Sequence, residues 1–117
     1  MNNFRDLQVW QKSILVVKKV YELTSNLPKE EIYGLTNQMR RSAVSMPSNI
    51  AEGAGRSSDA DFNHFLAISI GSSFELETQL IICKELGYIN TESLDELIPE
   101  IQEIQKMIRG LQKSLKH

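Results

Sequence analysis

The stretch Gln38–Arg56, QMRRSAVSMPSNIAEGAGR, decides how this 117-residue chain folds. At helical spacing it carries two neighbouring stripes. Leu35, Met39, Ala43, Met46 and Ile50 form an apolar one; Gln38, Ser42, Ser45, Asn49, Glu52 and Arg56 form a polar one, with steps of four and three residues. A solvated helix face would be dominated by Lys and Glu, whereas this polar stripe sits among small residues. The pattern predicts a helix packed closely on a neighbour through a polar ladder. Pro47 falls inside it, and a mid-helix proline removes one backbone bond at a cost of ~3 kcal/mol unless its surroundings compensate. The apolar stripe passes Pro47 without a change of phase, so a kinked, continuous helix is expected, ended by Gly53 and Gly55 as C-cap glycines.

Upstream, Asp6 suits a helix N-cap, and Leu7, Trp10, Ile14, Val17, Tyr21 and Thr24 follow at three-four spacing. They predict an amphipathic first helix with Trp10 and Tyr21 as core anchors and Lys12, Lys18, Lys19 and Glu22 on the wet face. It ends near Asn26, stopped by Pro28. Glu30 and Glu31 then suit the N-terminus of the second helix through its dipole.

Downstream, Ser58 caps a third helix, with Asp61 three residues on in the manner of a capping box. Phe62, Phe65, Leu66, Ser69, Ser73, Leu76, Leu80, Cys83 and Leu86 run down one face, and Gly87 stops it. The bulkless Gly71-Ser72-Ser73 requires another element to lie close, and Ser42–Ser45 is the matching waist on the second helix. Asn90 or Thr91 caps a fourth helix with Leu94, Leu97, Ile101, Ile104, Ile108, Leu111 and Leu115 as its apolar seam. Pro99 is expected to bend that helix or delay its start. The expectation is an all-α, single-domain, up-down-up-down antiparallel four-helix bundle over 1–117, with helices at roughly 7–26, 29–54, 58–86 and 91–116.

Composition fits one ordered globular domain: 41% of residues are hydrophobic and 24% charged. The single Cys83 excludes an internal disulfide framework and fits a reducing cytoplasm, and at its stripe position it is core filler. The start lacks the apolar core of a signal peptide, and no apolar run is long enough to cross a bilayer, so no membrane association is expected. Net charge is −2 but unevenly placed, +3 over residues 1–56 and −5 over residues 57–117. After Glu103 the sign reverts, since Lys106, Arg109, Lys113 and Lys116 have no acidic neighbour in sequence. A uniformly basic nucleic-acid binder is excluded; a locally basic surface is not.

No catalytic constellation is present. A di-iron bundle needs Glu-x-x-His pairs from two helices, and with only His64 and His117 the nearest approach is the single pair Asp61-x-x-His64. His64 and Cys83 would lie ~28 Å apart along one helix, too far for a base to activate a nucleophile. GAGRSS lacks the Lys-Ser/Thr of a phosphate loop and is a helix-helix turn. The chain is therefore expected to be no enzyme, with no metal, cofactor or small-molecule substrate.

Two sets of residues remain as candidates. Gln38, Ser45, Asn49, Glu52, Ser72 and Glu75 are expected to form a buried polar network between helices two and three, with Arg40 or Arg41 neutralising Glu52 or Glu75. Arg40 and Arg41 point about 100° apart and cannot both serve one internal site. Together with Arg56, Lys12, Lys18 and Lys19 they make the basic half, a solvated face or a contact surface for nucleic acid or another partner.

DLQVWQKS, YGLTNQMRRSAVSMPSNIAEGAGR and FNHFLAISIGSSFELETQL with LGY after it resemble a family of small four-helix bundle proteins. These were first met as reading frames in intervening sequences of bacterial large-subunit ribosomal RNA genes, and were misnamed a ribosomal protein family. The resemblance spans nearly the whole chain. It implies a ring-shaped homopentamer without enzyme activity. One relative, the accessory protein of diversity-generating retroelements, binds nucleic acid and a reverse transcriptase through a strongly basic ring, whereas this chain is mildly acidic. Two functions follow as expectations: a cytoplasmic, non-catalytic oligomer binding RNA, DNA or a ribonucleoprotein through its basic surface, or a homo-oligomeric protein-interaction scaffold that binds no nucleic acid.

Overall fold

The computed structural model describes residues 3–115, and Lys116 and His117 of the expectations above lie outside them. Four helices, α1 (Gln8–Thr24), α2 (Leu35–Ala54), α3 (Asp59–Glu85) and α4 (Thr91–Ser114), pack into an all-α bundle measuring 44 × 25 × 20 Å. α1 and α3 each neighbour both α2 and α4, and α2 and α3 share the most extensive contact. Met39, Met46, Ile50, Leu66, Leu76, Leu80, Ile101, Ile104 and Ile108 close the core.

The ends of the helices follow local chemistry. Asn3, not Asp6, supplies the first cap: its side chain accepts from Arg5 N, and Phe4–Asp6 forms a 3₁₀ turn before α1. α2 begins at Leu35 rather than near residue 29, because Pro28 and Lys29–Glu31 make a separate 3₁₀ turn and Gly34, at φ −112° and ψ −116°, is outside the helical region. Ser58 accepts from Asp61 N at 3.1 Å and Asn90 from Ser93 N at 2.9 Å, satisfying backbone donors at the starts of α3 and α4. α4 runs uninterrupted through the exposed Pro99, with no delayed start. Gly87, at φ +78°, ends α3: Tyr88 N donates to Cys83 O and Gly87 N to Lys84 O, the paired bonds of a Schellman turn.

α2 is continuous through Pro47, as its periodicity predicts. Its glycines act otherwise than expected. Gly55 at the C-cap has a right-handed φ, and Gly53 matters for packing: a Cβ there would lie 2.8 Å from Phe65 Cβ and 3.2 Å from the Phe62 carbonyl. That absence of bulk lets α3 start directly against the end of α2.

From Val9 to Val20 the core face of α1 lies one residue away from the expected stripe, which it rejoins at Thr24. Val9, Ser13, Val16, Val20 and Thr24 are buried, while Ile14 is exposed and Tyr21 is 43% exposed. Apolar residues are dense enough on α1 to offer two faces at helical spacing. The β-branched Val9–Val16–Val20 face fits the narrow interior, and Trp10 and Val17 pack at its edge. α3 also departs from its expected stripe, because Leu86 is 55% exposed beyond the last turn. By length and composition α3 is apolar enough to cross a bilayer, contrary to the sequence-based expectation; here its inner face packs into the bundle core.

Candidate interaction surfaces

The small-residue waist forms where α2 and α3 cross. Ser45 Oγ and Ser72 Oγ are 2.8 Å apart, and Asn49 Nδ2 donates to both Ser45 O and Ser45 Oγ. One turn further on, the fully buried Ser69 hydroxyl donates to Met46 O at 2.9 Å, beside Pro47. Ser72 and Ser73 face inward, as the lack of bulk predicts, but Gly71 faces out, with no atom within 4 Å of a Cβ built there. Gln38, Glu52 and Glu75 stand outside this network: all three are exposed, and Glu52 pairs with Arg56 at 2.8 Å instead of with Arg40 or Arg41. Their stripe positions lie toward the outer edge of the seam, where long charged side chains reach water at no desolvation cost.

The six candidate cations are spread over the molecule rather than gathered on one face. Lys19 bridges α1 to α4, 2.7 Å from Glu100 and 3.4 Å from Glu96, and these carboxylates hold its ammonium above the usual lysine range. Arg40 Nε donates to Thr24 Oγ1 at 2.9 Å, with its guanidinium 4.6 Å from the centre of the Tyr21 ring, tying α2 to α1. Arg56 lies over Phe65 at 4.8 Å. Lys12, Lys18 and Arg41 are exposed, Lys12 beside the α1–α4 seam and Arg41 on α2.

A second cationic group is gathered in space. Lys106, Arg109 and Lys113 line a groove of about 490 Å³ between α3 and α4, with Ile70, Phe74 and Gly110 as its apolar lining. The run of cations without acidic neighbours after Glu103 is the sequence signal for it; the α3 side of the groove comes only from the packing.

The outward side of α3 is apolar as well. Ile68, Phe74, Ile81, Ile82 and Leu86 are each at least 39% exposed. A helix apolar all round normally belongs in an interior. On the opposite flank Phe4, Trp10, Ile14, Val17, Val44 and Pro47 line an apolar hollow of about 320 Å³ between α1 and α2. The loop before α2 adds Ile32 and Tyr33, the latter 92% exposed.

At the top of the bundle Glu31 joins two loops. Its Oε1 accepts from Leu35 N at 3.1 Å, capping α2, and its Oε2 accepts from Tyr88 Oη at 3.0 Å. The place of Glu31 before a helix is legible in the sequence; its bond to Tyr88, 57 positions away, is not. Cys83 is buried against Met39, with its sulfur 3.4 Å from the thioether. Burial, and secondarily the charge of Glu31, pushes its thiol up. Among the described residues no three of His, Cys, Asp and Glu are grouped so as to hold a metal.

Residues 5–110 match the model of the family described as 23S rRNA-intervening sequence protein. Among solved structures, the chain is similar to a protein of unknown function from the S23 ribosomal protein family of Bacteroides thetaiotaomicron VPI-5482. The two share 27% identity at a TM-score of 0.84, over 91% of this chain and 96% of that one. No curated protein matches it. With nearly its whole length matched to the family model and the same helical fold in that relative, this chain belongs to the 23S rRNA-intervening sequence protein family.

Proposed function

We propose that this chain is a non-catalytic helical scaffold that associates with itself and with other proteins through its flanks. The outward side of α3 carries this reading: four large apolar side chains, Ile68, Phe74, Ile81 and Ile82, with Leu86 at the C-cap, stand in water on a helix whose inner side is already packed. Apolar area of this kind gains about 25 cal/mol per Å² when a partner covers it. The ring of five implied by the family resemblance is one assembly that would cover it. Sedimentation velocity across a wide concentration range tests the reading, with a species larger than the 13.3 kDa chain as the expected result. A monomer at every concentration overturns it.

A second reading, binding of nucleic acid, is supported by the groove that sets Lys106, Arg109 and Lys113 around Phe74, since cations beside an exposed aromatic suit a phosphate backbone with a stacked base. Lys12, Lys18 and Arg41 would extend that surface only if an assembly brought them together. A gel-shift titration with RNA and single-stranded DNA at low salt tests it: affinity should fall linearly with salt on a log-log plot. No shift at micromolar protein removes it.

A further inference from the structure

We propose that the α3–α4 groove of one molecule receives the acidic α1–α4 flank of a second copy. This rests on the self-association reading and names the surfaces that would meet.

The groove is built for an acidic, apolar visitor. Its lining holds three cations, and the carboxylate beside it, Glu77, is engaged by the lining amides of Gln105 at 2.9 Å and Gln102 at 3.4 Å. Among the described residues none of the three has an ion-pair partner, and Arg109 has only a 3.4 Å bond to Gln112. Gly110 lines it, in the last turns of α4, and Gly71 stands one turn before Phe74 in the middle of α3. A glycine within a helix is less favourable than alanine. Neither is needed by the packing of the molecule itself, because a Cβ built at either meets nothing within 4 Å. The pair leaves room for a second backbone to approach closely.

The matching surface is on the other side of α4. Leu15, 56% exposed, projects beside a hollow of about 240 Å³ lined by Pro99, Glu100 and Glu103. Glu22 and Glu96 continue the acidic edge along the same seam. Four carboxylates thus face two cations, Lys12 and Lys19; Lys19 engages Glu96 and Glu100, which leaves Glu22 and Glu103 against Lys12. An apolar knob, with Lys12 and Lys19 on its own helix and carboxylates across the seam on α4, meets an apolar floor edged with positive charge. Complementarity of this kind sets partner choice and register. The two surfaces differ, so the contact is heterologous: each molecule offers both halves, and the association can pass from copy to copy.

Charge reversal tests the contact in the full chain. Lys106→Glu with Arg109→Glu, and separately Glu22→Lys with Glu103→Lys, should each weaken association by at least about tenfold. All four changes in one chain should restore it. Every site is exposed and, among the described residues, none is in an ion pair, so circular dichroism should show the same helical content in each variant. If the wild type associates and neither pair of reversals weakens it, the surfaces assigned here are wrong while self-association stands. If the wild type is monomeric at every concentration, both fall. If Lys106→Glu with Arg109→Glu leaves association intact and abolishes retention of single-stranded RNA, nucleic acid occupies the groove and the proposal is overturned.

Discussion

Ser45 and Ser72 meet hydroxyl to hydroxyl at 2.8 Å, midway along α2 and α3, and each is further engaged: Ser45 by the Asn49 amide, Ser72 by the carbonyl of Ile68. Two serines opposite one another keep the helix axes close and give the seam a direction that apolar side chains would not. Register between the two helices is thus specified by a polar contact inside an otherwise apolar interface.

Ser45→Ala and Ser72→Ala should each lower stability by about 1 kcal/mol, because each leaves a partly buried partner short of one hydrogen bond. The double variant should cost less than the sum, by at least ~0.5 kcal/mol, since the shared bond can be lost only once. Urea denaturation of the four proteins measures this. Strict additivity would mean that the hydroxyls are neighbours without being coupled.

Two glycines should respond in opposite directions to the same substitution. Gly53→Ala places a methyl 2.8 Å from Phe65 Cβ and 3.2 Å from a backbone carbonyl, so α3 must shift; the expected loss is about 1–3 kcal/mol. Gly71→Ala meets nothing and removes helix-breaking freedom, so unfolding should become harder by about 0.5–1 kcal/mol. Thermal melting at low protein concentration, where association does not contribute, separates the two. Stabilisation by Gly53→Ala would show that the helices are not in close contact there.

Cys83 should be chemically silent in the folded protein. It is fully buried, its thiol is pushed up chiefly by burial, and only the thiolate attacks a disulfide reagent. Labelling should run on the order of a hundredfold slower in buffer than in urea, because it must wait for the bundle to open. Equal rates would place the sulfur at the surface.

How much of this was legible in the sequence depends on what each residue's environment requires. The apolar seam of α4 and the core face of α2 can be found by periodicity, because each helix has a single apolar stripe. α1 has two, and only the packing chooses Val9–Val16–Val20 over Trp10–Ile14–Tyr21. The polar stripe of α2 showed the same limit. Periodicity put Ser45, Asn49 and Glu52 on one side, yet reach and charge divide them, the short side chains facing α3 and Glu52 turning out to Arg56. The groove at Lys106, Arg109 and Lys113 was half visible as an unbalanced run of charge. Phe74 and Ile70, which complete it, come from a helix whose apolar residues point in every direction and so give no phase to read.

The bond from Tyr88 to Glu31 makes the bundle sensitive to alkali. The phenol donates to a carboxylate, and this bond first, then burial and the charges of Glu31 and Glu30, holds its proton above the ordinary value of 10.0. Below pH 10 the phenol is protonated in both the folded and the unfolded chain, so its contribution is complete. As pH climbs through the folded-state value, the unfolded chain has already released a proton that the folded one retained, and stability falls. Lys19 moves in the same direction through Glu100 and Glu96, so both add to the decline. Tyr88→Phe removes one of them: the variant should be less stable at neutral pH, yet its stability should fall less steeply above pH 10 than that of the wild type. Urea midpoints from neutral to strongly alkaline pH read this directly. Parallel decline in the two proteins would mean that the hydroxyl does not depend on Glu31, and that the two loops are held together by packing alone.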